Sequence, residues 1–268
     1  MRPGLAKQIV WSDPVSRRKT DVCIVYVHGF SASSGEVRPL PDIVAQACGA
    51  NLLYTRLSGH GRSSEAMAQA TIEDWRADVV EAIAIGEQLG EQIILMATST
   101  GATLCAEILA GDHPCAKRIK AAIFLAPNFG LRALAAPLLT GPFARQLAHL
   151  LLGRLRSFKP INTLHATYWT NDYPVDALLP MARLVKEAGM LACETARIPT
   201  LFVVSGKDRI IDPAKARRVA SRWGGPTDII DPGDVGDPYG HVPAGDALSP
   251  STTKTLSEII IKWIRKLI

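Results

Sequence analysis

Short apolar runs alternate with segments of helical periodicity along this chain, and that alternation limits the fold more than any other feature. The runs are rich in β-branched residues, which is typical of strands buried on both faces of a parallel sheet. Between two of them, residues 72–89 place Ile72, Trp75, Val79 and Ile83 mainly on one helical face. The pattern predicts an α/β fold with a mostly parallel central sheet flanked by helices. The predicted strands are residues 22–27, 51–57, 92–97, 121–126, 200–204 and 227–230.

One connection between the predicted strands is much longer than the others. About 70 residues separate the strand that ends at position 126 from the one that begins at position 200, whereas connections in α/β units usually span roughly two to six residues. We therefore predict a core domain of residues 1–127 and 199–268, with a mostly helical cap inserted at residues 128–198. The candidate cap helices are residues 131–139, 143–155 and 175–188.

The second candidate cap helix is rich in leucine. Packing onto the core domain is the simplest role for such a run. Lining an apolar substrate pocket and making transient contact with lipid are the alternatives. The leucines are Leu147, Leu150, Leu151, Leu152 and Leu155.

N-cap residues predict where two later helices begin. Asp212 stands before Pro213, which gives an N-cap followed by a first-turn proline. Ser251 or Thr252 is predicted to cap the final helix, which runs toward Leu267.

The net charge of +5, from 30 Lys and Arg against 25 Asp and Glu, is spread thinly. The densest basic run is Arg17, Arg18 and Lys19. Nucleic-acid affinity needs many converging cations, so a short run of this kind is typical of a solvated face. We expect no nucleic-acid partner.

The cysteines and the apolar stretches of the sequence indicate in which cellular compartment the protein is expected. The five cysteines are an odd number without close pairing, which indicates neither a disulfide framework nor a metal site. Residues 1–10 lack the apolar run of a signal peptide, and no stretch of about 18 apolar residues occurs. We expect a cytoplasmic protein that does not insert stably into membranes.

The segment Ala97-Thr98-Ser99-Thr100-Gly101 follows a predicted strand and precedes a predicted helix at residues 102–109. A serine on such a sharp strand-to-helix turn is the context of a nucleophile elbow, in which the flanking residues must be small. Ala97 stands where the usual pattern has glycine. Its methyl group is either absorbed by a slight backbone shift or indicates an altered turn.

At this point the sequence resembles the α/β-hydrolase family, and within it the carboxylesterase and monoacylglycerol-lipase-like branch with a helical cap. The resemblance extends over nearly the whole chain and depends on the order of five motifs. Besides the elbow, these are His28-Gly29-Phe30, Gly59-His60-Gly61-Arg62-Ser63, Gly206-Lys207-Asp208 and Gly240-His241-Val242. The resemblance implies the α/β-hydrolase fold with an inserted cap, and a serine hydrolase that uses no cofactor and no metal.

A serine hydroxyl is a poor nucleophile until a neighbouring imidazole takes its proton. Of six histidines, His241 follows the last predicted strand, where the family places its base. Asp208 and Asp212 both follow the strand that should carry the acid. Asp208 matches the family motif, whereas Asp212 is already explained as an N-cap. The predicted triad is Ser99, Asp208 and His241, with Asp231, Asp234 and Asp237 as weaker rivals for the acid.

The tetrahedral intermediate of acyl transfer needs two N–H donors aimed at its oxyanion. The elbow supplies one from Thr100, the residue after the nucleophile, and the resemblance implies Phe30 as the second. The Phe30 ring would cover the acyl group or anchor the loop. The glycines beside His60 lack the lysine and spacing of a phosphate-binding loop, so that loop is predicted to be structural.

The resemblance implies cleavage of small-molecule esters, with short or medium acyl chains or as monoacylglycerols. An amidase or peptidase, an acyltransferase and a non-catalytic binding protein of the same fold remain alternatives. Members of the α/β-hydrolase family that cleave the amino-terminal residue from a peptide hold the ammonium group of the substrate with a cluster of carboxylates. The cap offers Asp172, Asp176, Glu187 and Glu194 for that role.

Overall fold

The computed structural model describes residues 1–111, 113–133 and 136–268, and it contains nine strands in that part of the chain. Seven of these strands form one sheet, and the other two form a hairpin within residues 128–198. The strands are β1 (Gln8–Val10), β2 (Thr20–Val27), β3 (Asn51–Tyr54), β4 (Gly90–Thr98), β5 (Ile119–Leu125), β6 (Leu155–Ser157), β7 (Asp172–Pro174), β8 (Thr200–Val203) and β9 (Thr227–Ile230).

The central sheet has the order β1-β3-β2-β4-β5-β8-β9, and every neighbouring pair except β1 with β3 is parallel. All six predicted strands are present, so the predicted fold class is confirmed. The second of them ends at Tyr54 rather than at position 57. Strand β1 was not predicted, because it has three residues, of which only Ile9 and Val10 are apolar, and it lies at the sheet edge.

Nine α-helices flank the sheet or lie in residues 128–198, again within the described residues. They are α1 (Leu40–Ala47), α2 (Ser64–Gln69), α3 (Ile72–Leu89), α4 (Thr100–Ala110), α5 (Ala144–Leu152), α6 (Thr163–Tyr168), α7 (Leu178–Ala188), α8 (Pro213–Arg222) and α9 (Pro250–Ile264).

The hydrophobic core has one layer on each face of the sheet. Along β2, Cys23, Val25 and Val27 pack with residues of α3, α4 and α8, whereas Ile24 and Tyr26 pack with α1 and α9. Successive side chains of a strand point to opposite faces, and both faces here are covered. A strand of this kind therefore has a continuous apolar sequence.

The boundaries of α3 agree with the predicted range. Thr71 caps its start with a reciprocal pair of hydrogen bonds, in which the Asp74 amide donates to the Thr71 hydroxyl at 3.1 Å and the Thr71 amide donates to the Asp74 carboxylate at 2.9 Å. The predicted cap at Asp212 is confirmed as well, since its carboxylate accepts from the Ala214 amide at 2.9 Å.

The predicted start of the final helix is wrong by two or three residues. Helix α9 begins at Pro250, with Ser249 in the N-cap position. Ser251 and Thr252 lie inside the first turn, and the Thr252 hydroxyl donates to the Pro243 carbonyl at 2.7 Å. Proline at the first helical position fixed this start, because its lost amide is one that a helix leaves unpaired in any case.

The helices of the inserted segment differ in place and length from the predicted ones. Positions 134 and 135 of the candidate helix 131–139 lie outside the described residues; Leu131 forms a β-bridge with Ile211, and a 3-10 helix covers Ala136–Thr140. The second helix ends early because Gly153 adopts a φ of 77°. The third begins as a 3-10 turn at Val175–Ala177 before α7. The β6–β7 hairpin and α6 were not predicted.

The segment 128–198 contacts the core near the carboxyl end of β2. The Thr170 amide donates to the Ser31 carbonyl at 2.7 Å, and the Ser33 hydroxyl donates to the Tyr168 carbonyl at 2.8 Å. Arg2 donates to the carbonyls of Ala166, Thr167 and Trp169. The division of the chain into a core domain and a cap remains a prediction.

The search for membrane-crossing helices covered the residues described here, and none of their helices combines the required length with sufficient apolar character.

Candidate active site

Ser99 occupies the turn between β4 and α4 in a strained backbone conformation. Its φ is 50° and its ψ is −117°, a region that non-glycine residues seldom adopt. The turn is held by the Ser99 amide, which donates to the Leu125 carbonyl at 2.9 Å. A Cβ at Gly101 would lie 2.5 Å from the carbonyl oxygens of Val27 and His28, so the helix can approach β2 this closely only with glycine there.

Ala97 does not disturb the elbow. It is a fully buried residue of β4, in register with Val27 on one side and Phe124 on the other. Its methyl group belongs to the core layer formed with α3 and α4. The strained turn at Ser99 is retained, and the departure from the usual glycine is absorbed inside the strand.

The structure brings Ser99, His241 and Asp208 together in one line of hydrogen bonds. His241 Nε2 lies 3.1 Å from Ser99 Oγ, and His241 Nδ1 lies 2.7 Å from Asp208 Oδ2. Asp208 is 1% exposed, and its other oxygen accepts from the amides of Ile210 and Ile211 at 2.8 and 3.0 Å. The second candidate acid, Asp212, is committed to the start of α8. The arrangement fits a nucleophile, a base and an orienting acid.

Asp237 holds the loop that carries His241. Its Oδ1 accepts from the Tyr239 amide at 3.0 Å, and its Oδ2 accepts from the amides of His241 and Val242 at 2.9 Å each. The Asp237 amide itself donates to the Ser249 hydroxyl at 3.0 Å. This carboxylate therefore fixes the backbone of the histidine loop and does not contact the imidazole as the acid.

Burial works to lower the pKa of His241, because the charged imidazolium loses solvation. The Asp208 carboxylate, through its charge and its hydrogen bond, and the more distant carboxylates of Asp237 and Glu36 act in the opposite direction. The net effect is a raised pKa for His241. The imidazole can therefore accept a proton from Ser99 and hold it while a charged intermediate exists.

The two predicted oxyanion donors lie beside Ser99. Thr100 is the first residue of α4. Phe30 follows Gly29, where an added Cβ would lie 3.2 Å from the Cβ of Ser99. Within the described residues, neither the Phe30 amide nor the Thr100 amide donates to another protein group. Both donors are free to serve a ligand.

Two buried histidines brace the loop that carries Phe30. His28 Nε2 accepts from the Leu57 amide at 3.0 Å, and His60 Nε2 accepts from the Ser31 amide at 3.1 Å. Burial lowers the pKa of His28 to about 3 and that of His60 to about 4, so both rings are neutral at pH 7. They act as fixed acceptors, in agreement with the structural loop role predicted for His60.

The Phe30 ring belongs to an aromatic cluster and also reaches the cavity. It makes edge-to-face contacts with His60, Trp75 and Tyr173 at centroid distances of 5.8, 6.1 and 5.5 Å. Tyr173 belongs to β7, so the Phe30 ring joins its own loop to the β6–β7 strand pair. The same ring lines the space in front of Ser99.

Sequence reasoning missed Glu36. Its Oε1 accepts from the Tyr26 hydroxyl and from the amide of Gly29, the residue before Phe30, both at 2.7 Å. Burial raises the pKa of Glu36 to about 7 against the opposing effect of these hydrogen bonds. The only signal in the sequence is an acid a short distance after His28-Gly29-Phe30, and nothing there reveals that it is buried.

A cavity of about 690 Å³ opens in front of Ser99, and most of its wall is apolar. The apolar wall comes largely from residues 128–198 and includes two leucines of the leucine-rich run, Leu151 and Leu152. By contrast, Leu150 is 80% exposed. Among the described residues that line it, the apolar ones include Leu131, Leu138, Leu139, Ala148, Phe158, Ile161, Trp169, Leu178, Met181 and Leu248.

The four carboxylates considered for an ammonium site do not line this cavity. Asp176 pairs with Arg145 and His149 at 2.9 and 3.0 Å. Glu187 pairs with Arg76 and Arg183, both at 2.7 Å, and Glu194 pairs with Arg222 at 2.5 Å. Asp172 is exposed on β7. The structure does not bring these carboxylates together at the nucleophile.

Comparison with known protein families shows which family this sequence matches. The family model described as serine aminopeptidase, S33, matches residues 18–228, which is well over half of the chain. The chain belongs to this α/β-hydrolase family. The resemblance inferred from the five motifs is thereby confirmed at the level of family and fold.

Several proteins that resemble this chain are lipolytic enzymes by name. It is 28% identical over 205 residues to a thermostable monoacylglycerol lipase of Bacillus sp. (strain H-257), covering 76% of this chain and 78% of the lipase. A solved structure from the work on LipS and LipT, two metagenome-derived lipolytic enzymes, superposes with a TM-score of 0.76 at 18% identity, over 99% of both chains. A soluble variant of the Saccharomyces cerevisiae monoglyceride lipase gives 0.70 at 11% identity, over 97% and 91%. The two structural likenesses establish the shared fold.

Proposed function

We propose that this α/β-hydrolase cleaves carboxylic esters of small molecules as a serine hydrolase. The observation that carries the proposal is the unbroken line of hydrogen bonds from Asp208 through His241 to Ser99, at the floor of an apolar cavity. Ser99 is the nucleophile, His241 the general base and acid, and Asp208 the group that orients the imidazole.

Acylation begins when Ser99 Oγ attacks the carbonyl carbon of the ester. His241 Nε2, 3.1 Å away, takes the hydroxyl proton as the new C–O bond forms. The carbonyl oxygen becomes an oxyanion that accepts hydrogen bonds from the amides of Phe30 and Thr100. Collapse of this intermediate breaks the ester bond, and His241 gives the proton to the departing alcohol. Ser99 is left as an acyl-enzyme.

Deacylation repeats the same steps with water as the nucleophile. His241 removes a proton from the water, the hydroxyl attacks the acyl carbon, and the proton returns to Ser99 Oγ as the acid departs. Asp208 holds the Nδ1–H tautomer throughout, so that Nε2 faces Ser99 in every step. Its negative charge also stabilises the imidazolium that exists between proton transfers.

The cavity wall favours an ester over the amino-terminal peptide bond that the family description suggests. An aminopeptidase site needs free carboxylates for the substrate ammonium. Asp237 is the one carboxylate among the described lining residues outside the triad, and backbone amides already occupy its oxygens. The apolar wall suits a short or medium acyl chain, and the names of the relatives suggest monoacylglycerols as one such class.

Residues 128–198 act as a cap over this site in the proposal, because they supply most of the apolar wall. Exposed Leu150 and Leu155 on this segment offer a surface for transient contact with lipid. We place the enzyme in the cytoplasm, where thiols stay reduced, since all five of its cysteines are free.

The test is the initial rate on p-nitrophenyl esters with acyl chains of increasing length, from acetate to palmitate. Ser99→Ala should abolish turnover above background while its circular dichroism and melting temperature match the wild type. Ser221→Ala is the matched control, because Ser221 is an exposed serine of α8 whose hydroxyl donates only to the Arg218 carbonyl. It should keep the wild-type rate.

Covalent labelling by a fluorophosphonate gives an independent readout of the activated serine. Wild type should be labelled at Ser99, and Ser99→Ala should not be labelled. Wild-type esterase rates in Ser99→Ala would refute the assignment of the nucleophile. Faster turnover of aminoacyl or prolyl amides than of any ester would favour the peptidase, and absence of both labelling and turnover would favour a binding protein.

A further inference from the structure

Four cationic side chains line the cavity that holds Ser99, and none of them forms an ion pair with a carboxylate of the described residues. They are Arg132, Arg156, Lys159 and Arg209, all exposed at the cavity mouth. In the described part of the chain, no ion pair joins any of them to a carboxylate. Arg145, on the same inserted segment but outside the cavity, is instead paired with Asp176 at 2.9 Å. What sets Arg132, Arg156, Lys159 and Arg209 apart is that they line one cavity together, without a carboxylate partner among the described residues.

Arg132 and Arg209 stand beside the loop that supplies the acid of the triad. The Leu131–Ile211 bridge and the Arg132 amide, which donates to the Ile210 carbonyl at 3.1 Å, join their two segments. One Arg132 nitrogen donates to the Asp208 carbonyl at 2.7 Å, which fixes the guanidinium near the triad. A guanidinium has five N–H donors, so most of this group stays available to a ligand.

Arg156 and Lys159 approach the same cavity from the inserted hairpin. Arg156 lies on β6 in register with Tyr173 on β7, and the Tyr173 ring contacts the Phe30 ring at 5.5 Å. Lys159 follows Phe158, whose amide donates to the Asn171 carbonyl at 3.0 Å. Arg156 and Lys159 therefore lie on the segment whose Tyr173 contacts the Phe30 ring.

The described residues that line the cavity supply little negative charge to neutralise these cations, and Asp172, which lies opposite Ser157 beside Arg156, does not line it. The sequence has no Asp or Glu from residue 113 to residue 171. Among the described lining residues outside the triad, the one carboxylate is Asp237, which accepts three backbone hydrogen bonds. A cleft lined by one sign of charge concentrates ligands of the opposite sign and orients them as they enter.

From this arrangement we infer that the preferred substrates are esters that carry an additional anionic group, a carboxylate or a phosphate. The anion binds at the mouth to Arg132, Arg156, Lys159 and Arg209, and the hydrocarbon part lies against the apolar wall. Arginine suits both anions because its planar fork can bind two oxygens at once. The inference rests on the proposed esterase function and narrows it to a substrate class.

The experiment compares kcat/KM for matched pairs of esters. The first pair is the p-nitrophenyl monoester of suberic acid against p-nitrophenyl octanoate, which have equal acyl length with and without a carboxylate. The second pair is octanoyl glycerol phosphate against octanoyl glycerol. We expect the anionic member of at least one pair to be favoured about tenfold or more at low ionic strength, and this ratio to fall several-fold in 0.5 M salt because exposed charges are screened.

Variants identify which cations produce the preference. The double variants Arg156→Gln with Lys159→Gln, and Arg132→Gln with Arg209→Gln, should each lower the anionic-to-neutral ratio, and all four changes should bring it close to one. Arg154→Gln is the matched control, because Arg154 is an exposed cation of the same segment that does not line the cavity. It should leave the wild-type ratio in place.

The outcomes separate this inference from the proposed function. Equal or faster cleavage of the neutral member in both pairs, with normal fluorophosphonate labelling of Ser99, would refute the anionic substrate and keep the esterase. Failure of labelling and of all ester cleavage would refute the esterase itself. Anionic vesicles that accelerate the neutral esters, without any preference between soluble pairs, would assign the cations to a lipid surface and also refute the inference.

Discussion

Asp208 and Asp212, four positions apart in the loop after β8, have different roles. The carboxylate of Asp208 is buried against His241 Nδ1 at 2.7 Å, whereas the Asp212 carboxylate accepts from the Ala214 amide at the start of α8. Asp208→Ala should lower kcat roughly ten-thousandfold, since the imidazole loses its orientation and its countercharge. Asp212→Ala should keep kcat and cost about 1 kcal/mol of stability, the usual value of an N-cap.

The measurement is kcat on one p-nitrophenyl ester and the free energy of unfolding in urea, for both alanine variants. Each variant serves as the control for the other, because both remove a carboxylate from the same loop. A large loss of kcat in Asp212→Ala with near-normal kcat in Asp208→Ala would reverse the assignment.

At the scale of residues, position along the chain predicts which candidate residues lie together. Ser99, Asp208 and His241 each follow a predicted strand, and the carboxyl ends of parallel strands meet at one edge of a sheet. The sequence could not predict Glu36 or the work of Asp237, because both act on backbone amides from loops of irregular shape. Hydrogen bonds of that kind depend on loop coordinates and leave no periodicity in the sequence.

At the scale of elements, the contact between α4 and β2 determines how the elbow is held. Gly101→Ala would bring a methyl group within 2.5 Å of the carbonyl oxygens of Val27 and His28, and neither backbone can yield easily. We expect kcat/KM to fall about a hundredfold, because displacement of Ser99 spoils the attack geometry. We expect a loss of stability of roughly 1 to 3 kcal/mol from overpacking.

The control for this prediction is Gly141→Ala, because no atom of the described residues lies within 4 Å of a Cβ at Gly141 and its φ is not in the left-handed region. The measurements are kcat/KM and the urea unfolding midpoint of both variants. Wild-type kinetics in Gly101→Ala would mean that α4 can shift away from β2 without moving the nucleophile, and the packing argument would fail.

Helices and strands with a strong hydrophobic periodicity were predicted, whereas very short strands without such a pattern were not. Helix α3 matches its predicted range because Thr71 and Asp74 cap a long amphipathic stretch. Strands β1, β6 and β7 have three residues each, which is too short for an alternation to be recognised. Gly153 adopts a φ of 77° and ends α5 before Leu155, so the last leucine of the run lies in a strand instead of a helix.

At the scale of the whole molecule, the sequence predicts a layered parallel sheet but not the shape of the cavity above it. Which leucines of the inserted segment line the cavity, and which are exposed, depends on how that segment lies over the sheet. Leu152 and the partly exposed Leu151 line the cavity, whereas Leu150 does not line it and is 80% exposed. The charges at the mouth were invisible for the same reason, since Arg132 and Arg209 are distant in sequence and neighbours only in the fold.

Buried titratable groups behind the site control how stability depends on pH. His28 and His60 have pKa values of about 3 and about 4 in the folded chain, lowered from 6.5 by burial. The unfolded chain therefore binds more protons below pH 6.5, so the stability they contribute above that pH is lost as the pH falls. Glu36 acts in the opposite sense. Its folded pKa of about 7, raised from 4.5 by burial, makes folding bind a proton as the pH falls through that window.

Between pH 7 and pH 5, protonation of the unfolded chain at His28 and His60 should cost about 2 kcal/mol for each histidine, and Glu36 should return about 2 kcal/mol. Glu36→Gln removes that compensation, so its free energy of unfolding should fall more steeply over this range than that of wild type, by about 2 kcal/mol. Urea unfolding at both pH values measures the two slopes. Glu258→Gln, an exposed position on α9, should keep the wild-type slope. A Glu36→Gln slope equal to or shallower than wild type would show that this carboxyl does not take up a proton on folding.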